Sequence, residues 1–229
     1  MFVPICLATM MLGAEQVTPI PAKEALQPLN GLIASWKGTG YPDGTREKRA
    51  NGFWVEKIEW SWAFQGNDAS LKTTIADGKY FRSGELRYLA KPQEYELRLV
   101  GVDKSEQVYR GQLTAGKQKE QLLVLERETD TEIHQLTFTL LHGNRYLYQL
   151  ATKPKDAKNF TRVYQVGATK EGEPFAEANK GPDCIVSGGR GTISVSFQGK
   201  TYYVCCSGCK DEFNADPEKY IKLAAEKKK

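Results

Sequence analysis

A long succession of short, strand-like runs fills the middle of this chain and restricts it to folds built from antiparallel sheet. Apolar Leu136, Phe138 and Leu140 alternate with threonines, which is the pattern of a strand with one buried face. Turn-forming pairs such as Asp-Gly at 77–78 separate the runs. After an opening segment at 36–40, we expect strands near residues 48–54, 56–65, 70–75, 79–90, 94–100, 105–114, 121–126, 134–141, 145–152 and 160–166.

About ten meandering antiparallel strands must protect their edges, and closure into a barrel does so. The opening LNGLIASWKGTG and the closing FTRVYQVGATKEG make this segment similar to lipocalin-like, calycin-type bacterial barrels of unknown function. We therefore expect a mainly β protein, with an antiparallel lipocalin-like barrel of about ten strands followed by a small α+β, cysteine-rich domain. A two-sheet sandwich is the alternative architecture.

The domain boundaries follow from these patterns and from the length of 229 residues, which suits one or two domains. A Pro- and Ala-rich linker is expected to lead into a short helical turn near residues 25–34. The complete set of predicted segments is a signal peptide at 1–14, a linker at 15–28, the barrel at 29–167, a charged linker at 168–180 and a metal-binding domain at 181–225.

The apolar run at residues 2–14 has the length of a signal-peptide core and is too short to cross a bilayer. Leu-Gly-Ala at 12–14 suits cleavage, although no positive charge precedes the run. A buried N-terminal strand is the alternative. Cys6 falls in this run, outside any lipid-anchor signal, and no other segment is predicted to span a membrane. We expect export to the periplasm or the cell exterior.

The remaining four cysteines lie close together near the C-terminus, at Cys184, Cys205, Cys206 and Cys209. Thiolates two or three residues apart can face one ion when the backbone turns between them, and the Ser-Gly pair at 207–208 supports such a turn. A ligand about twenty residues upstream completes the kind of clip that structural zinc sites use. Soft thiolates select one thiophilic ion, Zn(II) or Cu(I).

The segment GKTYYVCCSGC, followed by KDEFNADPEKYI, resembles TRASH/YHS-type heavy-metal-binding domains. That family takes part in heavy-metal sensing, trafficking and resistance. The resemblance implies Cys184, Cys205 and Cys209 as ligands. Many members have a second cysteine where this chain has Ser187, which leaves Cys206 or a water for the fourth position.

A hairpin and two short helices are expected in this domain, with Asp216 capping the second helix and Pro217 opening it. A helix following Cys209 favours the thiolate form. Tyr202, Tyr203 and Phe213 are expected to form the core of the domain. The alternative for the cysteines themselves is disulfide bonding in an oxidising compartment.

The barrel interior is the second candidate site. A barrel of this size holds one small ligand or is filled by its own side chains. Candidates to line a pocket for a small apolar ligand are Trp54, Trp60, Trp62 and Tyr88. The chain has two histidines, and His134 is interpreted as an ordinary strand residue rather than a haem ligand.

Catalytic and nucleic-acid-binding patterns are absent from the sequence. There is no Gly-x-Ser-x-Gly signature for a hydrolase triad, and the glycine run at 188–191 lacks the Lys-Ser/Thr of a phosphate loop. The net charge is +4, and the sequence has no run of basic residues interleaved with aromatic ones, which is the pattern expected of a nucleic-acid-binding surface. We expect a protein that is not an enzyme and does not bind nucleic acid.

The leading hypothesis is an exported, non-enzymatic heavy-metal-binding protein used in trafficking, sensing or resistance. One alternative is a small-ligand-binding barrel whose C-terminal clip is a structural zinc staple. The other is a thiol redox module that uses Cys205 with Cys206, or Cys206 with Cys209. The sequence indicates no particular protein partner.

Overall fold

The computed structural model describes residues 20–66, 68–117, 120–172 and 181–226, and for His142 it describes the backbone. The predicted signal peptide, Cys6 and residues 173–180 of the predicted linker lie outside the described residues. Within those residues, no helix is both long enough and apolar enough to cross a membrane.

Ten antiparallel strands close into one barrel. Each strand pairs with its neighbour in sequence, and the first pairs with the last, with Trp36 opposite Lys170. This closure confirms the expected barrel over the two-sheet sandwich. The strands are β1 (Ala34–Pro42), β2 (Trp54–Gln65), β3 (Asp68–Ala76), β4 (Phe81–Leu89), β5 (Glu94–Gly101), β6 (Glu106–Ala115), β7 (Gln121–Glu128), β8 (Glu132–His142), β9 (Arg145–Pro154) and β10 (Thr161–Lys170).

Strand β2 shows how the sequence pattern builds the core. Ile58, Trp60 and Trp62 face inward and are at most 3% exposed, whereas the intervening Lys57 and Glu59 are exposed. Successive side chains of a strand point to opposite faces, so this alternation fixes which face is buried. Nine of the ten predicted runs fall on observed strands, and the opening segment at 36–40 lies in β1.

One predicted strand is wrong. Residues 48–54 lie mostly in helix α2 (Arg46–Gly52), where the side chain of Thr45 accepts a hydrogen bond from the backbone N–H of Lys48 at 3.2 Å. Thr is a favourable N-cap, and the Arg, Glu, Lys and Ala that follow are good helix formers. None of the helix residues is buried, so no apolar face holds this segment in the sheet.

Helix α1 (Ala22–Leu26) and a 3₁₀ helix (Gln27–Leu32) pack on one end of the barrel and bury three leucines in its core. The hydroxyl of Tyr95 on β5 donates to the carbonyl of Ala25 at 2.6 Å. Helical structure therefore begins earlier than the turn expected near residues 25–34, inside the stretch interpreted as linker. Leu26 is fully buried, so residues 22–28 of that stretch pack on the barrel.

The C-terminal unit lies beside the same end of the barrel. The strands β11 (Ile193–Phe197) and β12 (Lys200–Val204) form the expected hairpin, and helices α3 (Ser207–Ala215) and α4 (Pro217–Glu226) follow. Asp216 accepts a hydrogen bond from the backbone N–H of Lys219 at 3.1 Å, which confirms the expected cap of α4.

The core of the C-terminal unit is continuous with that of the barrel. Phe213 is fully buried and contacts the ring of Tyr202, with 5.5 Å between ring centroids. Tyr203 does not join them, because it is 39% exposed. It alternates along β12 with the inward-facing Tyr202, so the expectation that both tyrosines are core residues is wrong for Tyr203.

Candidate metal centre

Three of the four predicted ligands meet in one cluster. The sulfurs of Cys184, Cys205 and Cys209 all lie within 4.8 Å of one another, and those of Cys205 and Cys209 are 3.5 Å apart. Two sulfurs bound at about 2.3 Å to one tetrahedral zinc lie about 3.8 Å apart. This sulfur triangle therefore fits around a single thiophilic ion with little adjustment. All four described cysteines are free thiols.

A closed turn holds Cys184 in place. Its backbone N–H donates to the carbonyl of Gly189 at 2.6 Å, and its carbonyl accepts from the N–H of Gly188 at 2.8 Å. Gly188 has a φ of 76°, a conformation that glycine adopts without steric cost. The next residue, Ile185, donates to the carbonyl of Tyr203 on β12 at 2.9 Å. The turn is thereby attached to the strand that leads into Cys205.

Helix α3 begins at Ser207, two residues before Cys209, so it does not follow that cysteine as expected. Cys209 lies in the first turn and is fully buried. Backbone N–H groups in a first helical turn have no partner within the helix and carry partial positive charge. The helix N-terminus thus lies at the cluster, as the sequence argument expects, but the hydrogen bond between Cys209 and Cys184 raises the pKa of Cys209 itself.

Cys206 lies beside the triangle rather than in it. Its sulfur is 3.9 Å from that of Cys205 but falls outside the group of three within 4.8 Å. It accepts a hydrogen bond from the backbone N–H of Trp62 on β2 at 3.3 Å. Either Cys205 or Cys206 could have paired with Cys209 in the cluster. The structure places Cys205 there and turns the side chain of Cys206 towards the barrel.

Ser187 occupies the position where the family resemblance has a second cysteine. Its hydroxyl lies 3.3 Å from the sulfur of Cys205, and its backbone N–H donates to the sulfur of Cys184 at 3.4 Å. The side chain is fully buried. Ser187 therefore forms hydrogen bonds with two of the three sulfurs, but a hydroxyl is a harder and weaker ligand than a thiolate for a soft ion.

The four thiols divide into two pairs by the direction of their pKa shifts. Hydrogen bonds from Cys205 and then Cys209 lower the pKa of Cys184, and the same two donors lower the pKa of Cys206. Cys205 and Cys209 donate these hydrogen bonds to Cys184, and this raises their own pKa values. The opposite shifts arise because the sulfurs lie close enough to hydrogen-bond with one another. A soft cation replaces thiol protons when it binds, which is how metal binding couples to thiol ionisation.

Two polar side chains from the N-terminal 3₁₀ helix complete the surroundings of the cluster. Gln27 Nε2 and Asn30 Nδ2 both donate to the backbone carbonyl of Ser187, at 3.2 and 3.1 Å. The sequence reasoning missed both residues, because 160 and 157 positions separate them from Ser187. No periodicity or motif indicates a contact of that range.

The four aromatic candidates of the barrel do not surround a common pocket. The interior cavity is about 20 Å³, far below the 300–1,000 Å³ of typical ligand sites. Trp60 lines it. Trp54 bonds to Glu56, Trp62 bonds to Asn30, and Tyr88 packs on Tyr95. In the described residues, aromatic side chains fill the barrel.

Comparison with known proteins supports the C-terminal resemblance. The YHS domain family matches residues 190–224, a range that includes Cys205, Cys206 and Cys209 but begins after Cys184. The resemblance of this segment to YHS domains is thus confirmed. No curated protein sequence matches the chain significantly.

Two solved structures overlap with the barrel at low similarity. The protein Rv2717c from M. tuberculosis is 18% identical, with a TM-score of 0.44 over 64% of this chain and 97% of that one. The S-type phycobiliprotein lyase CPES from Guillardia theta is 10% identical, with a TM-score of 0.39 over 67% of this chain and 94% of that one.

Proposed function

We propose that this protein binds one thiophilic metal ion through Cys184, Cys205 and Cys209 and acts as a non-enzymatic metal carrier or sensor. The observation that supports the proposal is the convergence of three sulfurs within 4.8 Å from a loop, a strand end and a helix. Within the described residues, this group of ligands consists of cysteines alone. It contains no histidine or carboxylate that would act as a general base.

The donor set favours a low coordination number. Cu(I) is a soft ion that sulfur ligands select, and a trigonal set of three thiolates suits it. Structural Zn(II) is almost always bound by four ligands in a tetrahedron, which here requires either a water or a Cys206 side chain turned away from Trp62. Ser187 lies near enough to Cys205 to donate to a metal-bound thiolate. We therefore place Cu(I) first and Zn(II) second.

A structural zinc staple is the second candidate function, and one observation favours it. The three ligands come from separate elements of the C-terminal unit, of which residues 181–226 are described. A unit this small gains much of its folding free energy from a bound metal. A staple releases its ion only when the unit unfolds, whereas a carrier site exchanges its ion from the folded state. Metal exchange measured well below the melting temperature separates the two.

Export is part of the proposal, because the apolar run at residues 2–14 has the length of a signal-peptide core. Cell fractionation followed by N-terminal sequencing tests it. A mature chain recovered in the periplasm or medium supports export, whereas recovery in the cytosol with the run intact contradicts it.

The deciding experiment is metal analysis of protein purified under reducing conditions, with thiols counted in parallel. We expect one equivalent of Cu(I) or Zn(II) together with unoxidised Cys184, Cys205, Cys206 and Cys209. Cys184→Ser is expected to lose stoichiometric binding. Cys206→Ser is the matched control, and it retains the ion because its sulfur is outside the triangle.

Full metal content in Cys184→Ser would show that the triangle is not the site. Equal loss in both variants would show that four sulfurs bind the ion. A disulfide in the freshly purified protein, with no metal bound, would instead favour the thiol redox alternative.

A further inference from the structure

The end of strand β2 extends beyond its neighbour and meets the C-terminal unit. Pairing between β1 and β2 ends with Ala34 opposite Trp60, but β2 continues to Gln65. The backbone of Trp62 therefore lies past the end of β1. Its N–H donates to the sulfur of Cys206 at 3.3 Å. A backbone group that a sheet normally uses for pairing here contacts the cysteine cluster.

Close approach at this point depends on Gly208. A Cβ atom added to it would lie 1.7 Å from the carbonyl oxygen of Trp62, with 2.8 Å to the carbonyl carbon. Only glycine permits helix α3 to come this near to the strand. The first turn of α3, which carries Cys209, is thus in direct backbone contact with the barrel.

A second connection runs through Asn30. The indole N–H of Trp62 donates to Asn30 Oδ1 at 3.0 Å, and Asn30 Nδ2 donates to the carbonyl of Ser187 at 3.1 Å. Gln27 donates to the same carbonyl at 3.2 Å. The side chain of Asn30 also lies 3.1 Å from the position of a Cβ on Gly189, so the turn that carries Cys184 packs directly on it.

Ser187 is the residue through which these contacts reach the sulfurs. It donates from its backbone to Cys184, and its hydroxyl lies next to Cys205. A shift of Ser187 therefore changes the surroundings of both ligands together. Hydrogen bonds of this kind, one step removed from the ion, orient ligands and typically change metal affinity 10–100-fold when lost.

From these contacts we propose that the barrel forms the outer half of the metal centre, with Asn30, Gln27 and Trp62 as positioning residues. The inference rests on the proposed function and deepens it. Asn30 and Gln27 hold the turn of Cys184 closed, and the backbone of Trp62 holds Cys206 outside the triangle. The barrel thereby keeps the site at three thiolates, favours Cu(I) over Zn(II), and slows release of the ion.

Asn30→Asp is the most direct test, because aspartate keeps the acceptor for the Trp62 indole and loses the donor to Ser187. It also places a carboxylate oxygen against the carbonyl of Ser187. The expected result is release of metal to a competing chelator about 10–100 times faster than in the wild type. Gln27→Ala is expected to accelerate release by a smaller factor, since Asn30 still holds the same carbonyl.

Asn51→Asp is the matched control, because it makes the same chemical change on the exposed helix α2. It is expected to release metal at the wild-type rate. The melting temperature of the metal-free full-length protein is measured for both variants. Faster release in Asn30→Asp, at a melting temperature equal to that of Asn51→Asp, identifies positioning rather than general destabilisation.

A second readout does not depend on metal. Alkylation of the metal-free protein, mapped by mass spectrometry, measures how firmly each thiol is held. Asn30→Asp is expected to raise the alkylation rate at Cys184 and Cys205. If it leaves alkylation and metal release at wild-type values, the barrel is not part of the centre. If the wild type binds no metal, the proposed function fails, and alkylation still decides whether the barrel holds the thiols.

Discussion

Replacing Gly208 with alanine is expected to separate helix α3 from strand β2. The new Cβ would lie 1.7 Å from the carbonyl oxygen of Trp62, so the two backbones must move apart by about 1.7 Å to restore ordinary contact. Overpacking typically costs about 1–3 kcal/mol, and a backbone obstacle places this case near the upper end. The better helix propensity of alanine recovers about 1 kcal/mol or less. The net loss is about 2 kcal/mol.

For a chain of this size, about 2 kcal/mol lowers the melting temperature by about 4–8 °C. Thermal unfolding followed by circular dichroism measures this loss. The same shift removes the hydrogen bond from Trp62 to Cys206, so alkylation of Cys206 in the folded protein is expected to accelerate. Gly167→Ala is the control, because its Cβ would meet the nearest atom at an ordinary 3.5 Å. Wild-type stability together with wild-type alkylation of Cys206 in Gly208→Ala would refute the reasoning.

Three further predictions concern separate parts of the molecule. Burial raises the pKa of Glu56 above 4.5, so the unfolded chain loses this proton at lower pH than the barrel does, and stability falls as pH rises from 4.5 until the folded carboxyl also ionises. Glu56→Gln removes the titrating carboxyl but keeps one acceptor oxygen for the Trp54 indole, while its amide nitrogen faces the hydroxyl of Tyr148. It is expected to flatten this slope in urea unfolding at several pH values; an unchanged slope would contradict the assignment. Thr45→Ala removes the cap of α2 at a local cost of about 1 kcal/mol, so hydrogen exchange should accelerate in residues 46–52 while β1 stays protected; an effect on β1 would show that α2 supports the sheet. Removal of the metal by a chelator is expected to lower the melting temperature, and to do so less in Cys184→Ser; an equal decrease in both would place the ion elsewhere.

The sequence predicts the barrel well because a two-residue period is a local signal. Strand β8 alternates so regularly that its position follows from Leu136, Phe138 and Leu140, although the strand extends beyond the predicted 134–141 at both ends. Helix α2 was missed because its residues face solvent and show no apolar periodicity. The signal that the sequence does contain is the N-cap Thr45, followed by residues of high helix propensity. The cysteines were found for a related reason, since spacing within a short segment is also local information.

The surroundings of the cysteines could not be predicted in the same way. Trp62 and Cys206 are 144 positions apart, and Asn30 and Ser187 are 157 apart. Their contacts depend on where β1 ends relative to β2, which no local pattern indicates. The family resemblance favoured Cys205 over Cys206 as a ligand, but no local pattern indicated that the backbone N–H of Trp62 contacts the sulfur of Cys206. Trp62 was expected to line a ligand pocket, and its polar contacts lie at the end of the barrel instead.

Pairing of the first strand with the last has a consequence for how the molecule is assembled. Trp36 lies opposite Lys170, so the segment entering the barrel and the segment leaving it are side by side at one rim. Any module appended after the final strand emerges next to the N-terminal helices without a long connection. Closure of the sheet thus explains why residues far apart in the chain, such as Asn30 and Ser187, come into contact.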